Sequence, residues 1–307
     1  MTGKYYELRL QINPEMEDII SEIFFDNFDC EGVVLAEETY KDLEMVSTTE
    51  GTLKIFLRNE YEDSYEDLKY DVENVLDLSR EEFLSRGLTD AELGSWDFIL
   101  EEKQNEDWSK KWKEQWDVTH VTDKIAVVPD WIEYQPKDGE ITIKLEPGCA
   151  FGTGTHQTTQ LCMKALEKYM KQNTKVADIG MGSGILSILA KKLGASYVYG
   201  CDNDETVIDV ARENAVKNNA ECTFELGTAD KIFDKFDFIV ANILHFVLAE
   251  IMGDLKNLMK AGAMMSLSGI LYEKRQMVID AYERVGLELV EEIQQDQWTS
   301  FVVKRVD

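Results

Sequence analysis

This chain of 307 residues is predicted to form two domains, a small α+β sandwich followed by a larger α/β domain with a doubly wound parallel sheet. Residues 1–104 carry apolar patterns in the order βαββαβ, which is typical of a ferredoxin-like sandwich. Residues 119–307 alternate strands and helices through short connections, which predicts a Rossmann-like doubly wound sheet. A glycine-rich turn at 180–184 joins a strand to a helix, as in sheets that bind nucleotides. Residues 105–118 are predicted to form a linker helix.

The N-terminal domain is predicted from the periodicity of its apolar residues. Residues 5–12 alternate as a half-buried strand does, and Pro14 starts a helix that extends to about Phe28. The remaining elements are an acidic helix and three strands, predicted at 62–86 and at 32–36, 52–58 and 96–102.

The predicted linker helix carries three tryptophans at a spacing of four residues. Trp108, Trp112 and Trp116 fall at positions i, i+4 and i+8, which places them in one stripe on a helix. Two interpretations stay open. The stripe packs between the linker and the second domain, or it forms a lid or a wall of a substrate site.

The second domain is predicted from strand-like and helical runs that follow one another to the C-terminus. Strand-like runs at 125–128 and 141–145 precede a glycine-rich loop at 146–159. The last two strands are joined at 294–297 and are predicted to form an antiparallel hairpin at the sheet edge. Helices are predicted at 205–218, 245–259 and 273–284, and strands at 176–179, 197–201, 222–226, 236–241, 263–267, 287–293 and 298–304.

The charge balance argues against a nucleic-acid substrate. The chain has 60 Asp and Glu residues against 32 Lys and Arg, a net charge of −28, and most of the excess lies in residues 1–105. A surface this acidic repels phosphate backbones and attracts cationic partners. The alternative is that the charge only keeps the protein soluble.

The sequence lacks the patterns of secreted, membrane and metal-binding proteins. No apolar run reaches the roughly 20 residues that span a bilayer, and the N-terminus lacks the apolar core of a signal peptide. The five cysteines are scattered and are expected to be reduced, and three histidines without an H-E-x-x-H motif do not suggest a zinc enzyme. We therefore expect a cytoplasmic monomer without a membrane contact or a metal site.

The most informative stretch is 175–204, which combines a glycine turn with two acids at strand ends. A strand that contains Asp178 precedes the turn, a helix follows it, and the next strand ends at Asp202. Glycine lets a ligand approach the main chain, and the start of a helix presents unpaired N–H groups. Asp202 lies where a carboxylate can accept both hydrogen bonds of a ribose diol. The glycines occupy alternate positions: Gly180, Gly182 and Gly184.

The pattern D-x-G-x-G-x-G with a strand-end acid resembles the S-adenosylmethionine (SAM) site of class I methyltransferases. In that fold Asp178 lies near the methionine end of the cofactor and Asp202 holds the ribose, while Gly180 and Gly182 lie against the ligand. Two alternatives stay open: a glycine turn that binds no ligand, and a nicotinamide or flavin site. The third glycine comes one place too early for the G-x-G-x-x-G of the dinucleotide sites.

The glycine-rich loop at 146–159 is predicted to form a second wall of the same pocket. It leads into a helix directly before the strand and glycine turn of the SAM-like site, and Thr155 is expected to cap that helix. Gly154 gives the loop freedom, and Phe151 is a candidate to cover the cofactor. Thr159 is a candidate to donate its hydroxyl to the cofactor.

Asn242 is the candidate catalytic residue, because it ends the strand at 236–241 on the side of the ligand crevice. In amino methyltransferases of this fold, an asparagine at this point accepts hydrogen bonds from the amine that is methylated. Two histidines have alternative interpretations. His156 is either a hydrogen-bonding residue of the loop or part of the pocket, and His245 is either structural or a proton acceptor.

Five motifs in order resemble the PrmA family, whose members methylate the eleventh protein of the bacterial large ribosomal subunit. They are GCAFGTGTHQTT, DIGMGSGIL, the strand-end Asp202, VANIL and LSGIL. The resemblance implies SAM binding by Thr159, Gly180, Asp202 and Asn242, and a ferredoxin-like domain that grips the protein substrate. The sequence departs from the family pattern at Gln157, where proline is usual, and at Met181, where cysteine is usual. The acidic N-terminal region is also longer than the usual family domain.

The predicted function is therefore SAM-dependent N-methylation of that ribosomal protein, on lysine ε-amines and the α-amine. Two alternatives stay open. One is a methyltransferase that acts on another protein or on a small amine, and the other is a non-enzymatic adaptor with a vestigial nucleotide fold.

Overall fold

The computed structural model describes residues 4–13, 16–28, 30–35, 51–58, 65–104, 117–145 and 154–307. These residues fall into two compact units, within Met1–Trp116 and Asp117–Asp307. The tryptophans of the predicted linker and Phe151 lie outside the described residues, so their roles stay predictions. None of the described helices is long and apolar enough to cross a membrane.

The described part of the N-terminal unit contains a four-stranded sheet and its helices. The strand order is β2-β3-β1-β4, and every neighbouring pair is antiparallel. This is the arrangement of a ferredoxin-like sandwich, so the predicted fold of this region is confirmed. In chain order the elements are β1 (Lys4–Ile12), α1 (Glu17–Asn27), β2 (Cys30–Leu35), β3 (Gly51–Arg58), α2 (Tyr65–Ser85), α3 (Asp90–Leu93) and β4 (Phe98–Gln104).

The core of this unit follows from the alternation along its strands. Every second side chain of a strand lies on the same face, and burying one face against helices removes apolar area from water. The completely buried apolar residues include Leu8, Leu10 and Ile12 of β1, Leu53, Ile55 and Leu57 of β3, Ile20 and Phe24 of α1 and Val72 of α2.

The sequence did not predict α3, and it placed the start of the last strand too early. The main-chain N–H of Thr89 donates to Glu92 Oε2 over 2.8 Å, which stabilises the first turn of α3. Trp96 has φ +61°, a left-handed conformation that a strand does not contain. Its indole N–H donates to the carbonyl of Leu93. The strand predicted from residue 96 therefore begins at Phe98.

The C-terminal unit begins with a small sheet that is separate from the main one. It contains β5 (Thr119–Thr122), β6 (Ile125–Pro129) and β7 (Ile141–Leu145). Strands β5 and β6 are antiparallel, whereas β6 and β7 are parallel. The sequence predicted β6 and β7 but not β5.

The main sheet has seven strands in the order β10-β9-β8-β11-β12-β14-β13. The first five are parallel, and β14 inserts antiparallel between β12 and β13. The doubly wound sheet and its terminal hairpin are therefore confirmed. The elements are α4 (Gln157–Tyr169), β8 (Lys175–Ile179), α5 (Ile185–Lys192), β9 (Tyr197–Asp202), α6 (Glu205–Lys217), β10 (Thr223–Leu226), β11 (Phe236–Asn242), α7 (His245–Leu258), β12 (Met259–Leu271), α8 (Arg275–Arg284), β13 (Leu287–Gln295) and β14 (Trp298–Arg305).

Both faces of the main sheet are covered, which explains why its central strands are almost wholly apolar. One face packs against α4, α5 and α6, with Val176, Ile188 and Val240 completely buried. The other face packs against α7 and α8, with Ile239 and Leu248 completely buried. The carboxyl ends of β8, β9 and β11 consequently meet at one edge of the sheet, where ligands bind in folds of this class.

Candidate active site

The glycine turn after β8 needs residues without a Cβ. Gly180, Gly182 and Gly184 all have positive φ angles, between +48° and +77°, which side chains rarely adopt. The space beside Gly180 and Gly184 is also too small for a side chain. A Cβ placed at Gly180 would lie 2.3 Å from Ile243 Cγ2, and one at Gly184 would lie 3.1 Å from Ala211 Cβ. The turn therefore presents bare main chain and packs closely on its neighbours.

Asp178 lies in β8 beneath this turn and is completely buried. Its Oδ2 accepts hydrogen bonds from Ser187 N at 2.9 Å and Ser187 Oγ at 2.7 Å. Among the described residues, Oδ1 has no hydrogen-bond partner. Burial raises the pKa of Asp178 to about 7, although both bonds from Ser187 favour the ionised form. A buried carboxylate with one unpaired oxygen fits a cationic ligand group.

Asp202, at the end of β9, is held by main-chain donors of the adjacent loops. Its Oδ2 accepts from Gly182 N at 2.9 Å, and its Oδ1 accepts from Asp204 N at 3.2 Å. Burial raises the pKa of this carboxyl. Each carboxylate oxygen has two lone pairs, so Asp202 keeps acceptor capacity for the two hydroxyls of a diol.

Asn242 ends β11 and contacts Thr159 of α4. Its Nδ2 donates to Thr159 Oγ1 over 3.3 Å, and both side chains are buried. The Oδ1 atom of Asn242 has no partner within the described part of the chain. A buried amide oxygen without a hydrogen bond is unfavourable unless a ligand supplies a donor. The pair therefore leaves one buried acceptor, Asn242 Oδ1, available to a donor of a ligand.

The second glycine loop is described only from Gly154 onwards. Gly154 has φ +82°, and a Cβ there would lie 2.7 Å from Val127 Cγ2 and 2.9 Å from Ile185 Cδ1. The loop therefore packs against β6 and the start of α5, beside the first glycine turn. This places Gly154 and Thr159 on the same side of the molecule as Asp178 and Asp202.

The prediction that Thr155 caps α4 is wrong. The N-cap is His156, whose imidazole accepts a hydrogen bond from Thr158 N at 3.3 Å and lies 2.7 Å from Thr158 Oγ1. Its backbone is extended, as an N-cap requires. The ring also packs edge-on against Trp298 at 5.1 Å. This geometry supports the structural interpretation of His156.

Two residues of the site region were not singled out in the sequence. Ser187, a polar residue on the otherwise apolar start of α5, holds Asp178; its position in an apolar run was the available signal. Trp298, at the start of β14, is buried against His156, and no local pattern points to it. His245 is buried at the first turn of α7.

The acceptors of this edge fit SAM. An unpaired carboxylate oxygen suits its ammonium group, a strand-end carboxylate suits its ribose, and the glycine turn lets it approach the main chain. Among the residues that the structure describes, no group of three His, Cys, Asp or Glu side chains is arranged to hold a metal ion.

Comparison with known proteins identifies the family of the chain. The family model described as "Ribosomal protein L11 methyltransferase (PrmA)" matches residues 4–306. A protein of Clostridium perfringens (strain SM101 / Type A) named ribosomal protein L11 methyltransferase is 35% identical over 320 residues, which cover 99% of each chain. A protein of the same name from Acetivibrio thermocellus is 42% identical over 208 residues, which cover 67% of this chain and 66% of the relative.

A solved structure is also similar to this chain. The crystal structure of ribosomal protein L11 methylase from Lactobacillus delbrueckii subsp. bulgaricus superposes with a TM-score of 0.60 at 33% identity, covering 62% of this chain and all of that one. The family model and the relative from Clostridium perfringens extend over nearly the whole chain. The chain therefore belongs to the ribosomal protein L11 methyltransferase (PrmA) family of SAM-dependent enzymes.

Proposed function

We propose that this protein transfers methyl groups from SAM to amines of ribosomal protein L11, on lysine ε-amines and the α-amine. The observation that carries the proposal is the unpaired, buried Oδ1 of Asn242 at the end of β11, next to the glycine turn. We further propose that it works in the cytoplasm as a monomer, without contact to nucleic acid or membrane.

On the cofactor side, Asp202 would accept the ribose hydroxyls and the spare oxygen of Asp178 would hold the ammonium group. Gly180, Gly182 and Gly154 would let the ligand approach the main chain. When bound, SAM supplies an electrophilic methyl group on its sulfonium. The work of the protein is then to place the acceptor and to exclude water.

On the acceptor side, Asn242 would orient the amine. A lysine ε-amine has a pKa near ~10.4 in water and must lose its proton before its lone pair can attack; a buried crevice lowers that pKa, because burial disfavours the charged form. The amide of Asn242 has no titratable proton, so it can orient the nitrogen but cannot act as a base.

Thr159 would act through Asn242. Because Thr159 Oγ1 accepts from Asn242 Nδ2, the amide is turned so that its oxygen is left for the amine. We therefore infer that the cofactor role predicted for Thr159 is secondary to this orienting role.

The charge of the chain supports a basic protein as substrate. A net charge of −28 attracts a lysine-bearing partner over distances of about a Debye length and accelerates encounter. A small amine would gain less from such a field, because it carries less charge. The second candidate, another basic protein, would gain equally.

The test is methylation of purified, unmethylated L11 by the purified enzyme with isotopically labelled SAM. We expect label on L11, and peptide mass spectrometry should locate it on lysine side chains and the N-terminal amine. The Asn242→Ala variant is the matched control. If SAM binds but L11 stays unlabelled while another protein in a methyl-deficient extract takes the label, the substrate assignment is wrong.

A further inference from the structure

Ile243, the residue after Asn242, is enclosed by two glycines from different parts of the chain. Its side chain lies over Gly180, where an added Cβ would be 2.3 Å from Ile243 Cγ2. Its main chain lies over Gly269, where an added Cβ would be 2.4 Å from Ile243 O and 2.9 Å from Ile243 C. Real Cβ atoms do not approach other atoms this closely, so both positions exclude any side chain.

Gly269 occupies a bend that is built into β12. Asn242 pairs with Ser268 in the parallel ladder, so Gly269 directly follows the partner of Asn242. The pairing of β12 with β14 shifts register between Leu267 and Ile270, and Gly269 has φ +83°. A bulge next to a functional residue is a common way to aim a side chain.

We propose that Ile243 and Gly269 are positioning residues for methyl transfer. The bend at Gly269 lets the main chain of Ile243 settle against β12, and the side chain of Ile243 then rests on the cofactor turn at Gly180. This contact fixes the distance between the turn that holds the cofactor and the Asn242 amide. The inference rests on the proposed function, because it requires that Asn242 orients the amine.

The rate of methyl transfer depends on how closely the amine is placed to the methyl group. A shift of about 1 Å in a reacting group can lower a rate by about 100-fold. Among the described residues, the Asn242 side chain makes one hydrogen bond, to Thr159 Oγ1 at 3.3 Å, which is too long to hold the amide alone. Packing of the next residue between two glycines supplies the missing constraint.

The main variant is Gly269→Ala, and Gly262→Ala is its matched control. Gly262 lies in the same strand with φ +75°, but a Cβ there meets nothing within 4 Å. Both substitutions therefore introduce backbone strain, and only Gly269→Ala also displaces Ile243. We expect kcat to fall about 100-fold in Gly269→Ala with SAM affinity, measured by calorimetry, changed less than about threefold. Gly262→Ala should keep its kcat.

If Gly269→Ala does not fold, Ile243→Ala replaces it. This variant should lower kcat about 10-fold with little change in SAM affinity. Gly180→Ala should weaken SAM binding, because its added Cβ clashes with the Ile243 side chain. Combining it with Ile243→Ala removes the clashing atoms, so the double variant should partly regain SAM binding. Unchanged kcat in either variant, or a kcat and a SAM affinity that fall together, would overturn the proposal. If Asn242→Ala also keeps full turnover, the proposed role of Asn242 has failed instead.

Discussion

The two sides of the proposed ligand crevice are held in place by different means. On the cofactor side, Asp178 and Asp202 each accept hydrogen bonds from main-chain N–H groups at 2.9 Å, so their positions are fixed by the backbone of the glycine turn and of α5. On the acceptor side, the Asn242 side chain makes one hydrogen bond of 3.3 Å, and the next residue, Ile243, packs against two glycines. Each side leaves one buried oxygen without a partner among the described residues, Asp178 Oδ1 and Asn242 Oδ1, but only the carboxylates of the cofactor side are held by main-chain donors.

This difference predicts that substitutions on the two sides change different kinetic constants. Loss of an acceptor that touches only the amine should lower turnover, because SAM binding does not depend on it. Loss of an acceptor that touches only the cofactor should lower affinity for SAM, with turnover preserved at saturation.

Asn242→Ala should have the largest effect. Removing one preorganised hydrogen-bonding group from an active site lowers kcat by about 10²–10³, and the alanine also frees Thr159 Oγ1. We expect this loss in single-turnover rates with L11, while calorimetric SAM affinity stays within about threefold of the wild type.

Thr159→Val is the companion variant for Asn242. It keeps the size of the side chain but removes the acceptor for Asn242 Nδ2, so the amide can turn and kcat should fall by about 10-fold. A fall in SAM affinity as large as the fall in kcat, in either variant, would place these residues on the cofactor side.

Asp202→Ala should weaken SAM binding. Hydrogen bonds to a charged acceptor contribute about 1.5–3 kcal/mol each, so loss of even one should lower affinity about 10-fold or more, and loss of two about 100-fold or more. Turnover at saturating SAM should change little. Asp204→Ala is the matched control, because that carboxylate caps α6 through Thr206, while alanine keeps the main-chain N–H that donates to Asp202.

Calorimetry distinguishes the two outcomes. If Asp202→Ala binds SAM as the wild type does, the ribose assignment is wrong. If Asp204→Ala weakens binding equally, the effect belongs to the stability of the loop and not to Asp202 itself.

The cofactor side could be predicted from the sequence because its determinants lie in one continuous stretch. Strand, glycines, helix and acid follow one another within 175–204, and each has a local signature. The acceptor side joins residues that are 83 positions apart, Thr159 and Asn242, and no local pattern reports such a contact. The sequence therefore predicted Asn242 from its place at a strand end but not the orienting role of Thr159.

The bend in β12 was missed for a related reason. The sequence predicted a strand at 263–267, whereas β12 runs from Met259 to Leu271. Gly262 and Gly269 both have positive φ and interrupt the apolar run. The sequence pattern therefore predicts a short strand that ends at each glycine. In the fold, β12 pairs with β11 on both sides of Gly262 and with β14 on both sides of Gly269, so the strand continues through them. Tertiary pairing thus overrides the local signal.

A pH dependence of SAM binding is also expected, and it comes from Asp178. Burial raises its pKa to about 7, and a cationic ligand group binds only the ionised form well. SAM affinity should therefore fall by about 10-fold between pH 8 and pH 6. The titratable groups that face Asp178 are Asp202 and the thiols of Cys162, Cys201 and Cys222, and burial raises the pKa of these thiols to about 12.

Two variants separate this effect from other titrations. Asp178→Asn should remove the pH dependence, so any that it keeps belongs to the ligand or to other groups. Ser187→Ala removes a bond that favours the ionised form, so it should move the midpoint to higher pH. Affinity that stays constant from pH 6 to pH 8 in the wild type would show that Asp178 does not hold the ammonium group.

The same pKa fixes the sign of a stability effect in the free enzyme. The folded pKa of Asp178 lies above its unfolded value of 3.8, so the folded state binds the proton more tightly. The contribution of this group to the free energy of unfolding should therefore be fully present below about pH 4 and be lost as the pH rises to 7, by on the order of 4 kcal/mol. Asp178→Asn should flatten this slope in denaturant titrations, and bound SAM should flatten it too, because a cation beside the carboxylate offsets the burial of its charge.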